Sequence, residues 1–174
     1  MTQPLHEGDA IAGSDDKVPS FYSFNADEPV FLIRYVDRVA SRVLLNMARA
    51  VRADPGFAPT TDYVVDMRDL VDIDFRSSDF LGHMMRLAAE KQPLAERVRY
   101  ALLINPDNAG TIAVLNTYLG YADLAPGVEF RQFEAAEEAR RWLGLRGSVE
   151  ALLAAADWIE VDDGLGAAGD GQAG

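Results

Sequence analysis

The stretch from Val64 to Met84, VVDMRDLVDIDFRSSDFLGHM, holds the groups of this sequence best suited to chemistry. Five aspartates (Asp66, Asp69, Asp72, Asp74 and Asp79) and two arginines (Arg68 and Arg76) surround the adjacent pair Ser77 and Ser78. A serine opening a helix accepts a hydrogen bond from one of the N–H groups left unpaired there. A phosphate on such a serine is further stabilised by the positive end of the helix dipole. Capping is the simpler reading of the spacing, because capping serines far outnumber phosphorylated ones. Crowded aspartates offer the hard oxygens that suit Mg²⁺ or Ca²⁺. Their spacing, however, matches neither an EF-hand loop nor a nucleophilic Asp-x-Asp at a strand tip, and solvated loop acids explain it.

Other groups point less sharply. Arg38, Arg42, Arg49 and Arg52 fall on one side of a predicted helix, beside its apolar face, a stripe suited to an acidic partner or an anionic head group. Pairing with local acids is the simpler account. His83 lies off the apolar stripe of the next predicted helix, with no partner at a spacing that would make it a general base. NPDNAG (Asn105 to Gly110) follows a strand and opens a helix, a place where anions bind. It lacks the lysine of a Walker loop and the glycine spacing of a dinucleotide loop, so Asp107 or Asn108 reads as a helix cap. No residue set is assigned a catalytic or metal-binding role, and no cofactor is expected.

The elements that must position these groups follow from periodicity. SFYSFN (Ser20 to Asn25) and VFLIRYV (Val30 to Val36) are rich in aromatic and β-branched residues and are separated by ADEP, which suits an antiparallel hairpin. A helix is predicted from Asp37 to about Arg52, with Val39, Val43, Leu44, Met47, Ala50 and Val51 on one side, ending at Pro55 and Gly56. DYVVDM is a buried strand. A second helix is predicted from Ser78 to Lys91, with Phe80, Leu81, Met84, Leu87 and Ala88 on one face. VRYALLIN is another strand, and a helix from about Asn108 to Leu119 should stop at Gly120. VEFRQF, then EAAEEARRWL, give the last strand and a short helix in which Glu137 and Arg141 are spaced i, i+4. Ser148 is the expected N-cap of one more helix, SVEALLAAADWIE, aligning Val149, Leu152, Leu153, Ala156 and Ile159.

Strands alternating with helices in this way imply parallel crossovers. The expected fold is therefore α/β: a mixed, mostly parallel sheet of four to five strands, with an antiparallel N-terminal hairpin and helices covering much of one side. Residues 1–18 and 161–174 read as flexible tails, 19–146 as the α/β domain and 147–160 as an additional C-terminal helix.

Composition sets the outer limits. The 174 residues suffice for a single domain with a real core, and 49% hydrophobic with 25% charged residues is ordinary for a folded chain. A formal net charge of −12 opposes wrapping of nucleic acid, whose phosphates it repels. The absence of cysteine removes disulfides, thiol catalysis and thiolate metal sites, and two histidines are too few for a multi-histidine centre. No apolar run approaches the roughly 20 residues of a membrane span, and the N-terminus lacks the pattern of a secretory signal. A cytoplasmic location is the expectation.

The succession DYVVDMRDLVDIDFRSSDFLGHMMRLA, RYALLINP and VEFRQFEAAEEARRWL resembles the STAS domain of anti-sigma-factor antagonists and its one-domain bacterial relatives, over about Ser20 to Leu143. In that family an Asp-Ser-Ser-Gly motif opens a helix and its first serine is the phosphoacceptor, so the resemblance places Ser77 at the acceptor and Ser78 beside it. Arg76 stands where the family has its aspartate, and Asp79 replaces the glycine. The loop is longer by Asp74 and Phe75, which puts Asp74 in reach of the acidic role. The resemblance implies a non-enzymatic regulatory module that presents Asp66, Arg68, Asp69, Asp72, Asp74, Arg76 and Asp79 to a protein partner such as an anti-sigma kinase-like protein, or to another copy of itself. A carrier of a small apolar or lipid-like ligand and a metal-dependent enzyme using Asp66 to Asp79 are the alternatives.

Overall fold

The computed structural model describes residues 19–74, 97–122 and 127–161. Within them the chain runs β1 (Ser20–Asn25), β2 (Val30–Tyr35), β3 (Asp37–Ala40), α1 (Ser41–Ala53), β4 (Asp62–Asp66), β5 (Leu70–Asp74), β6 (Val98–Leu103), α2 (Ala109–Ala122), β7 (Val128–Phe133), α3 (Ala136–Leu143), α4 (Val149–Ala155) and β8 (Ile159–Val161). Six strands form one sheet in the order β7-β6-β4-β2-β1-β8, and β3 and β5 form a separate two-stranded ribbon. The β2, β4, β6 and β7 strands are parallel neighbours; β1 is antiparallel to both β2 and β8. The mixed, mostly parallel α/β sheet with an N-terminal hairpin is therefore present, with six strands rather than four to five and the β3–β5 ribbon beside it.

Alternation along the strands explains the layers. In β2, Phe31, Ile33 and Tyr35 point to one face, and Val30 and Leu32 to the other. The first face packs against Val43, Met47 and Val51 of α1 and Leu115 of α2. The second packs against Ala139 and Leu143 of α3 and Val149 and Leu153 of α4. Helices thus cover both faces rather than mainly one, because parallel strands carry apolar residues on both sides and each face must be shielded.

Across the first face runs an aromatic ladder, one ring per strand: Phe24, Phe31, Tyr63, Tyr100 and Phe130. Successive centroids lie 5.0, 5.7, 4.3 and 4.7 Å apart. Each pair is directly opposed in register, so the ladder fixes strand alignment as well as burying surface. Gly56, just past α1, sits against the Phe24 ring so closely that an added Cβ would collide with it.

Four expectations need correction. The helix predicted from Asp37 starts at Ser41, and Asp37–Ala40 is a strand. Asp37 has φ 59°, a left-handed turn that swings the chain out of β2, and its N–H donates to the Asp69 carbonyl. Val39, Val43 and Met47 are all buried at spacing four, so a strand residue extended the helical pattern. The helix beginning after Ser148 ends at Ala155, where Ala156 turns extended, and Ile159–Val161 becomes edge strand β8. Gly120 lies inside α2, which continues to Ala122; among the described residues the left-handed glycines are Gly127 and Gly144, the latter closing α3. Finally, Leu70–Asp74, expected within a loop, pairs with β3 as a strand. Ser148 does cap α4, accepting from the Ala151 N–H at 3.4 Å. The helix expected from Ser78 to Lys91, with His83, lies outside the described residues.

Candidate functional site at the carboxyl rim

The carboxyl ends of β2, β4, β6 and β7 align along one rim through the register Arg34, Asp66, Leu103 and Phe133. From this rim the chain leaves β2 into β3 and leaves β4, through a tight turn in which the Leu70 N–H donates to the Met67 carbonyl, into β5. The ribbon therefore stands at the sheet edge where α/β folds place their working groups.

Arginines hold the rim together. Asp66 is 5% exposed, and its carboxylate accepts a two-pronged contact from Arg68, Nε at 2.8 Å and Nη2 at 2.9 Å. The same guanidinium reaches Glu150 in the first turn of α4 at 2.6 Å. The Asp66 and Glu150 hydrogen bonds hold the Arg68 guanidinium well above its usual range. Arg34 pairs with Asp69. Arg38 bridges Asp72 and Asp74 at 3.3 and 2.7 Å, clamping β3 to β5. Four of the five aspartates singled out by sequence are thus spent on arginines. Among the described residues no three His, Asp or Glu side chains converge as a metal site.

Between these pairs the ribbon carries a β-bulge. Asp37 pairs with Leu70, but the next residue, Arg38, pairs with Asp72, so Val71 is the extra residue. Bulges are uncommon in parallel pairs and re-aim a side chain. Here Val71 is 68% exposed. The backbone beside the bulge is not left unpaired. The Asn108 amide donates to the carbonyls of Leu70 at 2.9 Å and Val71 at 3.3 Å, and the buried Thr111 hydroxyl donates to the Val71 carbonyl at 3.4 Å. Asn108 also caps α2, its Oδ1 accepting from the Thr111 N–H at 3.1 Å.

The structure brings Asp66, Arg68, Asp69, Asp72 and Asp74 together on one rim and adds Arg34, Val71, Asn108 and Glu150, none of which sequence reasoning had placed there. Arg76, Ser77, Ser78 and Asp79 lie outside the described residues. Arg38 does not belong to the helical arginine stripe; it sits in β3 with its two aspartates. Arg42, Arg49 and Arg52 remain on α1, whose 13 residues include no acid. No described helix is long and apolar enough to cross a membrane.

No protein-family model matches this chain. No curated protein matches it either. Among solved structures it is similar to an uncharacterised protein of the DUF3478 family, with a SpoIIAA-like fold, from Shewanella loihica PV-4. Sequence identity is 16%, and the match covers 82% of this chain and 98% of that one at a TM-score of 0.45.

Proposed function

We propose that this protein is a non-enzymatic, STAS-like interaction module that docks a protein partner on its carboxyl rim. The observation carrying this reading is Val71: a large apolar side chain turned outward by a bulge whose backbone is fixed on both sides. An apolar side chain held outward on a fixed backbone is pre-organised for a partner that buries it. Around it five carboxylates (Asp66, Asp69, Asp72, Asp74 and Glu150) are shared among three arginines (Arg34, Arg38 and Arg68), leaving the rim negative. The partner surface is accordingly basic around an apolar pocket. Ser77, three residues beyond β5, is the residue to carry a phosphate if the module is switched, with Ser78 beside it.

Affinity capture from cells with the unaltered chain and with Val71→Asp, read by mass spectrometry, tests the rim. One protein recovered in stoichiometric amount by the first and lost by the second is expected; equal recovery by both removes the rim from the interaction. Incubating the complex with ATP and mapping phosphate on Ser77 and Ser78 tests the switch. Stoichiometric binding unaffected by Ser77→Asp eliminates it.

A further inference from the structure

The bulge at Val71 needs a reason to persist. Beside it, the carbonyls of Leu70 and Val71 take donors from outside the ribbon. The side chains that supply these donors come from the first turn of another element, α2, nearly forty residues further on. We propose that Asn108, assisted by Thr111, is a positioning residue for the interaction surface: a latch that holds the bulge open and keeps Val71 turned outward. Its functional consequence rests on the rim being the docking surface; its structural claim does not.

The amide does two jobs with two different atoms, and this makes them separable. Its oxygen accepts from the Thr111 N–H and caps α2; its nitrogen donates to β5. Asn108→Asp has the same shape and remains an excellent cap, with a negative charge at the helix N-terminus that the dipole favours. It cannot donate when ionised, and it sets a carboxylate oxygen against two carbonyl oxygens. The substitution therefore preserves α2 while releasing β5. Through β5 the latch also bears on the chain that leads directly to Ser77 and Ser78, so any event that shifts the first turn of α2 reaches the surface around Val71.

Amide hydrogen exchange on the full chain near neutral pH tests this with no partner present. In Asn108→Asp, ribbon amides of Asp37–Ala40 and Leu70–Asp74 should exchange at least ~10-fold faster, the effect of two lost hydrogen bonds on a local opening. Amides of α2 and of β2, β4 and β6 should keep their rates within about twofold. Thr111→Val, which spares the amide, should give a smaller ribbon effect. Unchanged ribbon protection in Asn108→Asp overturns the latch. So does acceleration spread equally over α2 and the central strands, which would make Asn108 an ordinary stabilising residue. A ribbon effect of Thr111→Val equal to that of Asn108→Asp would overturn the assignment of Asn108 as its main element. Because no partner enters the measurement, its failure is distinct from a failure of Val71→Asp to abolish binding.

Discussion

Arg68 sets the energetics of the rim at the residue scale. Removing it leaves Asp66 nearly buried with its charge uncompensated, and it also unties α4 from the end of β4. Breaking a fully buried pair costs 3–5 kcal/mol; with part of this guanidinium in water, about 2 kcal/mol is expected for Arg68→Ala. A urea unfolding curve measures it, and a midpoint within error of the unaltered protein would mean that Asp66 finds water instead. Asp66 and Arg68 were legible in the sequence as chemistry-bearing residues. What they do was not, because the partner that completes the network, Glu150, lies 82 positions from Arg68 and is itself an unremarkable first-turn acid. Asn108 shows the same limit. Its capping role follows from its place before a helix, whereas its grip on β5 depends on how two distant segments meet.

At the scale of elements, the errors share one cause: a residue that suits two periodicities. Val39 fits a helix that includes Val43 and Met47, and it fits the strand it occupies. From Val71 to Asp74, β5 alternates apolar and acidic residues, a strand signal masked by so many loop-forming aspartates. The alanine run ahead of Trp158 continues a helix pattern that the backbone abandons at Ala156. Strands β2, β4 and β6 were readable because burial on both faces makes them largely apolar, whereas the edge strand β7, VEFRQF, was readable from its aromatic and β-branched residues alternating with polar ones. Element packing also yields a direct prediction at Gly56, where an added Cβ would run into the Phe24 ring at the end of the aromatic ladder. Gly56→Ala must push that ring out of line with Phe31, and about 1–3 kcal/mol of destabilisation is expected, the usual cost of overpacking. Thermal or urea denaturation reads the loss; a neutral substitution would show that the ring swings aside freely.

Over the whole molecule, Glu28 ties the two ends of the sequence together. It sits in the β1–β2 turn, and its carboxylate accepts from the N–H groups of Arg146 at 3.0 Å and Gly147 at 2.5 Å, between α3 and α4. Those backbone hydrogen bonds, the one from Arg146 first, hold its carboxyl below the ordinary value of 4.5. A carboxyl whose folded value is depressed contributes stability that is complete above its unfolded value and is lost as the pH falls through the folded one. Denaturant midpoints should therefore decline as the pH is lowered from about 5 toward 3, and Glu28→Gln should flatten part of that decline. An identical pH profile in the variant would remove Glu28 from acid unfolding.

The placement of β8 governs how the chain is made. The outer edge of β1 receives its neighbour only when residues 159–161 have been synthesised, after every other described strand. Until then the nascent chain carries an open hydrogen-bonding edge, the kind of surface on which unfinished proteins pair with one another. Translation speed and chaperone capture thus bear on the yield of this protein through β8.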